Sequence, residues 1–416
     1  MAKQHYVTGI DIGAHAVRTV IGEIVPEDHS VRIVGVGDVP SSGLRRGAIT
    51  DVSEVAEAID ASLHKAEEMS GAQVKSAYVS IGGADVSVQE SKGVVAIGRA
   101  DGEVADDDVD RVIAAAQAVT VPVNKEVIHI IPNSYNLDDQ HDIKDPVGMN
   151  GVRLEVDALV VEVPSIHVKN IAAVLQKAQL DADEMVLSPL ATATAVLDKK
   201  QKELGVVMID IGASTTSLAV FEEGNLVHTV VLPVGSGYIT SDVAIGLRTT
   251  IDIAEKVKIE YGSATFDGIG AGDEIDMAQV DSSEEGTVSH RHIIEIIEAR
   301  LGEIFELVQK ELRSVGKDGL LPAGAVITGG GAELPGIVPY AKRALGLPAQ
   351  IGVPQEITGV MDHVDRPEYA TVVGLVLWGV EQETVDGFGS GIIGGAVDGV
   401  GGTVHKMRGW FEKFLP

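Results

Sequence analysis

The pentapeptide Ile-Asp-Ile-Gly-Ala occurs twice, at residues 10–14 and again at residues 209–213. Each copy closes one apolar, strand-like run and precedes another: "YVTGIDIG" then "AVRTVIGEI", and "GVVMIDIG" then "TTSLAVFEEGNLVHTVVLPV". A strand, a tight turn and a second strand make a hairpin, and the same hairpin met about half a chain later predicts two related lobes. A helical stretch over residues 51–69 and the strand "SAYVSIGG" follow the first copy. The long helix "SDVAIGLRTTIDIAEKVKIEYG" and the strand "AGAVITGGG" follow the second. This alternation is the texture of an α/β protein.

Between Gly82 and Pro164 the pattern changes to strand, helix (residues 106–118), then the strands "EVIHIIPNSYNLD" and "VRLEVDALVVEV", which reads as an inserted subdomain. After Val380 the segment "EQETVDGFGSGIIGGAVDGVGGTV" is dominated by glycine and reads as a flexible linker over residues 381–403.

Composition excludes several classes of function. A chain of 416 residues suits two or three domains. With a formal charge of −30 and only 4% aromatic residues, it would repel a polyphosphate backbone and offers few stacking platforms, so no nucleic-acid partner is expected. It has no cysteine, which removes disulfides, thiolate chemistry and Cys-ligated metal. The N-terminus carries no signal-like apolar run, and the longest apolar run, residues 370–380, falls well short of the ~20 residues of a membrane span. A cytoplasmic protein is expected.

Each Asp-x-Gly turn can serve a ligand. Glycine at 13 and 212 lets backbone N–H groups approach an oxygen-rich group, while Asp11 and Asp210 are placed to hold Mg²⁺ through water. A single such turn is an ordinary hairpin feature; two equivalent copies favour a shared ligand. Asp11 and Asp210 are therefore the candidate catalytic and metal residues. Ala14 and His15 on the first turn, and Ser214, Thr215 and Thr216 on the second, complete the two candidate loops. A third turn, "TGGGAEL", follows a strand and opens a helix-like stretch. Its Gly329, Gly330 and Gly331, with Glu333, would let the backbone pass a flat ligand such as adenine and ribose. Glu255 and Lys258 stand three apart on one helical face, the spacing of a surface ion pair.

Two Asp-x-Gly hairpins followed by a strand–GGG turn resemble the actin, Hsp70 and sugar-kinase superfamily. That resemblance implies ATP, with Mg²⁺, in a cleft between two duplicated lobes, and a second-lobe helix on which Glu255 would accept from ribose hydroxyls and Lys258 approach the base. The blocks "VIHIIPNSYNLDDQHDIKDPVGMNGVRLEVDALVV", "LPVGSGYITSDVAIGLRTTIDIAEKVKIEYG", "VITGGGAELPGIVPYAKRALGLPAQIGVP" and "PEYATVVGL" are similar, in order, to blocks of the bacterial division protein FtsA family.

The resemblance implies an actin-like fold with these parts: a lobe I core (1A) at 1–82, completed by 165–195 and 352–380; an inserted 1C subdomain at 83–164; a lobe II core (2A) at 196–231, completed by 318–351; and subdomain 2B at 232–317. Gly237 then joins the nucleotide contacts. The implied function is an ATP-binding protein that polymerises on the cytoplasmic face of the membrane at the division site. There it would tether the FtsZ ring through the FtsZ C-terminal peptide and help to recruit later divisome proteins through 1C. Arg300 and Glu303 match family positions implicated in FtsZ contact, and Arg291 could add attraction for that acidic peptide.

The tail "HKMRGWFEKFLP", in segment 404–416, places Met407, Trp410, Phe411, Phe414 and Leu415 on one helical face, with cations such as Lys406 on the rest. Such a basic amphipathic helix suits an anionic lipid interface, and the family is known for this tail.

Two departures bear on chemistry. Many relatives carry a hydroxyl and a phosphate-contacting lysine where this chain has Ala14 and Ala16, so phosphate contact is either weaker or supplied by Arg18. Hsp70-like members place an acid before a proline where this chain has Ser188, so any ATPase activity is expected to be very slow. The rival readings are a PilM-like pilus-assembly adaptor, which needs no membrane helix of its own, and a small-molecule kinase of the same fold, for which no general base is identifiable.

Overall fold

The computed structural model describes residues 5–25, 30–117 and 122–389, with side chains to residue 383. The first Asp-x-Gly hairpin pairs strands Tyr6–Ile12 and Ala16–Ile24 antiparallel, and the meander continues to Val31–Pro40. The chain then crosses through the helix Val52–Ser70 to lay Ser76–Ile81 parallel beside the first strand. That helix starts where Asp51 accepts from the N–H groups of Ser53 and Glu54 at 2.8 and 3.1 Å, and stops at Gly71, which takes φ 70°. A fifth strand, Asp181–Leu187, adds parallel to the fourth, and the short strand Ile357–Gly359 closes the far edge.

The second half repeats this plan. Val206–Ile211, Thr216–Glu222 and Asn225–Leu232 form the antiparallel meander, Gly324–Thr328 lies parallel beside the first of them, and Ala349–Ile351 beside that. Apart from the edge strand Ile357–Gly359, which the second sheet lacks, the strand order of the two sheets is therefore the same, and the two Ile-Asp-Ile-Gly-Ala copies sit at the same turn of each. The molecule is an α/β protein of two duplicated lobes.

Residues 87–164 carry a separate four-stranded antiparallel sheet in the order Ser87–Ala96, Arg153–Pro164, Lys125–Leu137, Gln140–Ile143. Its inner face buries Ile130, Leu137, Leu154 and Val156 against the helix Asp106–Ala116, so the insert has an apolar core of its own. It also reaches the second lobe: the Lys144 ammonium donates to the Glu223 carbonyl and to Asn225 Oδ1, both at 2.7 Å.

The lobes join through two helices, Ser188–Val196 and Ala370–Gly389. They approach so closely that a Cβ at Gly374 would lie 1.8 Å from the Ala191 carbonyl oxygen, so only glycine fits there. Thr192 and Thr371 share a hydrogen bond of 2.9 Å at the same crossing, and Trp378 is fully buried beside it.

Two elements differ from the sequence reading. The stretch read as one long helix is two, Ser236–Leu247 and Ile251–Tyr261. Arg248 caps the first with φ 58°, and Thr250 caps the second by accepting from the Ile253 N–H. The segment read as linker from 381 begins as helix, because Ala370–Gly389 continues through Glu381, Gln382 and Glu383, residues that propagate a helix well. The amphipathic tail at 404–416, with Lys406, Met407, Trp410, Phe411, Phe414 and Leu415, lies outside the described residues. Among the described residues no helix is long and apolar enough to cross a membrane.

Candidate functional site

Both hairpin turns close in the same way: the Gly13 N–H donates to the Ala16 carbonyl at 3.1 Å, and the Gly212 N–H to the Thr215 carbonyl at 2.9 Å. A Cβ at Gly13 would lie 2.6 Å from the Ala16 oxygen, so the turn tolerates no side chain there. The two turns, one from each lobe, open into a single cavity of about 840 Å³, within the ordinary range of small-molecule sites.

Asp11 and Asp210 line this cavity from opposite lobes. Burial raises the Asp11 carboxyl above its ordinary value, against the lowering effect of a Ser80 hydrogen bond and the Arg18 charge. Asp210 is pushed up to about 6, first by burial and then by the charge of Asp11, although Thr371 and Thr192 donate to it from 3.4 and 3.5 Å. The Asp11 charge thus disfavours the ionised form of Asp210, which a bound cation would relieve. Among the described residues no group of three or more acidic or histidine side chains could enclose a metal alone. A cation held here would complete its shell with ligand and water oxygens, and the hard donor set fits Mg²⁺.

The GGG turn packs on the second hairpin. Gly329 takes φ 78°, and a Cβ there would lie 2.1 Å from Asp210 Oδ1; one at Gly331 would strike the Ile211 side chain at 2.4 Å. Only Gly330 faces open space. The turn opens a single 3₁₀ turn, Gly330–Glu333, and the α-helix starts only at Ile337, after Pro335 and Gly336. Glu333 accepts two-pronged bonds from Arg366 at 2.9–3.1 Å.

Across the cavity Lys258 donates to both Glu255 oxygens at 2.8 and 2.7 Å and to Thr240 Oγ1 at 2.9 Å. Burial works to raise the Glu255 carboxyl, but the bonds from Lys258 and Thr240 hold it below its ordinary value.

Of the residues expected from sequence, Asp11, Gly13, Ala14, His15, Asp210, Gly212, Ser214, Thr215, Gly237, Glu255, Lys258, Gly329, Gly330, Gly331 and Glu333 all line the cavity. Thr216 does not. It opens a strand and is fully buried, with its hydroxyl donating to the Val234 carbonyl at 2.8 Å, because alternation along the strand turns it away from the side Thr215 faces. Arg18 lines the cavity but is held: it meets Asp38 at 3.0 Å and Glu368 at 3.9 Å, and lies over the Tyr369 ring at 5.0 Å. Ser188 lines it too, its hydroxyl donating to the Ile81 carbonyl at 3.1 Å. Arg366, Glu368 and Thr371 had no assigned role in the sequence reading, and they reach the cavity from far along the chain.

Away from the cavity, Arg300 grips Asp242 at 2.6 and 2.9 Å and also bonds Glu303, while Arg291 stacks over Phe266 at 4.7 Å. The charges of Arg300 and Glu303 thus satisfy one another and Asp242 instead of standing separately.

Comparison with known proteins places this architecture. The family model "Cell division protein FtsA" matches residues 207–374, and "SHS2 domain inserted in FTSA" matches residues 83–162. The cell division protein FtsA of Pseudomonas aeruginosa is 37% identical over 388 residues, which is 93% of this chain and 92% of that protein. The chain belongs to the FtsA family of cell division proteins. Among solved structures, the PilM-PilN type IV pilus biogenesis complex matches with a TM-score of 0.64 at 17% identity, over 90% of this chain and 98% of the other. MreB5 of Spiroplasma citri bound to ADP matches at 0.54 and 14%, over 93% and 99%. These likenesses show the actin-like fold alone, so the pilus-adaptor reading has only fold-level support, whereas the FtsA family is shown by sequence over nearly the whole chain. The inserted sheet is the SHS2 domain of that family, and the chain is an actin-like cell division protein.

Proposed function

We propose that this chain binds Mg²⁺-ATP between its lobes, assembles with copies of itself and tethers FtsZ filaments to the inner face of the cell membrane at the division site. The single observation that carries the nucleotide part is the convergence of both Ile-Asp-Ile-Gly-Ala hairpins, with Asp11 and Asp210, on one cavity. The fold neighbour MreB5 is described with ADP bound.

In this reading the turns at Gly13 and Gly212 present backbone N–H groups to the phosphates, and Asp11 and Asp210 orient the water shell of Mg²⁺. Bound Mg²⁺ would neutralise part of the triphosphate charge. Glu255 accepts from ribose hydroxyls, Lys258 approaches the base, and Gly330 leaves room for the flat nucleoside. Ser188 cannot act as a carboxylate base, and its hydroxyl is already bonded to Ile81, so hydrolysis is very slow. Nucleotide then acts as a structural ligand: it binds the closed, folded lobes and stabilises them by mass action.

The FtsZ C-terminal peptide docks on the 2B region. With Arg300 tied to Asp242, Arg291 is the cation placed to draw in an acidic peptide, while the Arg300–Glu303–Asp242 cluster fixes the helix His290–Ser314 that presents it. The tail helix anchors the assembly to anionic lipid, and later divisome proteins dock on the 1C insert.

Vesicle flotation tests the tethering directly. The intact chain with Mg²⁺-ATP is expected to float with anionic vesicles and to carry an FtsZ C-terminal peptide with it, and a chain lacking residues 404–416 to remain below. Equal flotation of both, or none of either, would refute it.

A further inference from the structure

One wall of the cavity is built almost entirely from glycine backbone. Gly82 and Gly83 follow the strand Ser76–Ile81, and Gly47 sits in the turn of the small hairpin Leu44–Arg45/Ala48–Ile49; all three line the cavity. A Cβ at Gly47 would lie 2.9 Å from the Gly83 Cα and 3.5 Å from Thr215 Cγ2, on the second Asp-x-Gly turn. At its other side Ser80 Oγ accepts from the Ile12 N–H at 3.0 Å and bonds Asp11. The wall therefore bridges the two turns, touching the first at Asp11 and Ile12 and the second at Thr215.

Few polar side chains rise from this wall, and most are committed. Ser80 serves Ile12 and Asp11, and Ser188 donates to Ile81. The exception is His167, in the first turn of the helix Ser165–Lys177, whose ring lies against Gly83: Cε1 and Nδ1 would be 3.3 and 3.5 Å from a Cβ there. His167 lines the cavity, and its Nδ1 is buried with no hydrogen-bond partner among the described residues. Nδ1 is shut off against Gly83, so the ring meets the cavity through Nε2, which also has no hydrogen-bond partner among the described residues and is the nitrogen a ligand can reach.

We infer that His167 is a specificity-determining residue: its imidazole hydrogen-bonds the terminal phosphate of a bound triphosphate, so that this chain distinguishes ATP from ADP through the glycine wall. The inference rests on the nucleotide reading above and adds to it which end of the nucleotide faces lobe I. Three glycines keep the wall low enough for a phosphate to come close, and the sequence supplies no lysine there, since position 16 is alanine and Arg18 is held by Asp38 and Glu368. A histidine reaching in from a helix outside both hairpins meets that need with a single bond.

The test compares affinities of the full chain for Mg²⁺-ATP, a non-hydrolysable ATP analogue and Mg²⁺-ADP, by calorimetry, in the wild type and in His167→Ala and His167→Gln. His167→Ala is expected to weaken both triphosphates roughly tenfold or more, the scale of one hydrogen bond to a charged group, and to leave ADP unchanged. His167→Gln, whose amide nitrogen takes the place of Nε2, should restore most of the loss, which a purely structural role would not do. Parallel losses for ATP and ADP, or no loss for either, would overturn the assignment. Should the alanine variant fail to fold, the ATP-to-ADP ratio in the glutamine variant decides: near wild type supports the bond, a ratio of one rejects it. Absence of nucleotide binding by the wild type would instead refute the nucleotide reading itself.

Discussion

Replacing Asp210 by asparagine should stabilise the nucleotide-free protein while removing its response to nucleotide. Folding carries the Asp210 carboxyl from 3.8 to about 6, through burial first and the neighbouring Asp11 charge second. At about 1.36 kcal/mol per tenfold change in proton affinity, that rise corresponds to ~3 kcal/mol of destabilisation at neutral pH. The sign follows from linkage. A carboxyl whose folded value lies above its unfolded value contributes stability that is complete below about pH 3.8 and lost as pH rises through about 6. Asparagine keeps the shape, and with it the room for Thr371 and Thr192, but carries no charge to repel Asp11. The assay is thermal and urea unfolding at pH 5 and 7.5, with and without Mg²⁺-ATP. The variant should gain up to ~3 kcal/mol at pH 7.5 without ligand, gain less at pH 5, and show little shift when Mg²⁺-ATP is added. A variant less stable than wild type at pH 7.5, or one still stabilised by Mg²⁺-ATP as wild type is, would refute the reasoning.

Other perturbations test the joints of the fold. Gly329→Ala forces a Cβ to 2.1 Å from Asp210 Oδ1 at φ 78°, and should cost ~1–3 kcal/mol in unfolding and most of the nucleotide affinity. Trp378→Ala empties a fully buried site beside Glu184 and His129 and should cost ~3–5 kcal/mol by urea titration. Lys144→Ala removes two bonds of 2.7 Å to the second lobe and should cost about 1 kcal/mol by urea titration. Arg291→Glu should weaken binding of an acidic FtsZ peptide in a salt-sensitive way, measured by fluorescence anisotropy, whereas Arg300→Ala should act mainly by loosening the helix it pins to Asp242.

What the sequence made legible was local. The two hairpins could be read because apolar strands and an Asp-Gly turn lie side by side in the chain, and the insert because its texture differs from its flanks. The break at Arg248 was read through because the apolar pattern runs on past it, although Gly246, Thr249 and the cap residue Thr250 flank it; the interruption itself depends on Arg248 adopting a left-handed conformation. Thr216 was taken with its hydroxyl neighbours, although strand alternation separates it from Thr215. The remaining site residues were out of reach because tertiary closure alone brings them together. Arg366, Glu368 and Thr371 arrive from beyond the last lobe II strand, the partner of Arg300 lies 58 positions away, and His167 is one histidine on an otherwise ordinary helix.

Calorimetric titration of Mg²⁺-ATP into the intact wild-type chain and into a variant with both Asp11→Asn and Asp210→Asn tests the shared-cleft account most directly. One site per chain in the wild type, lost in the double variant while the protein remains folded, is the predicted result. No heat of binding in the wild type, or undiminished affinity in the folded variant, would contradict it.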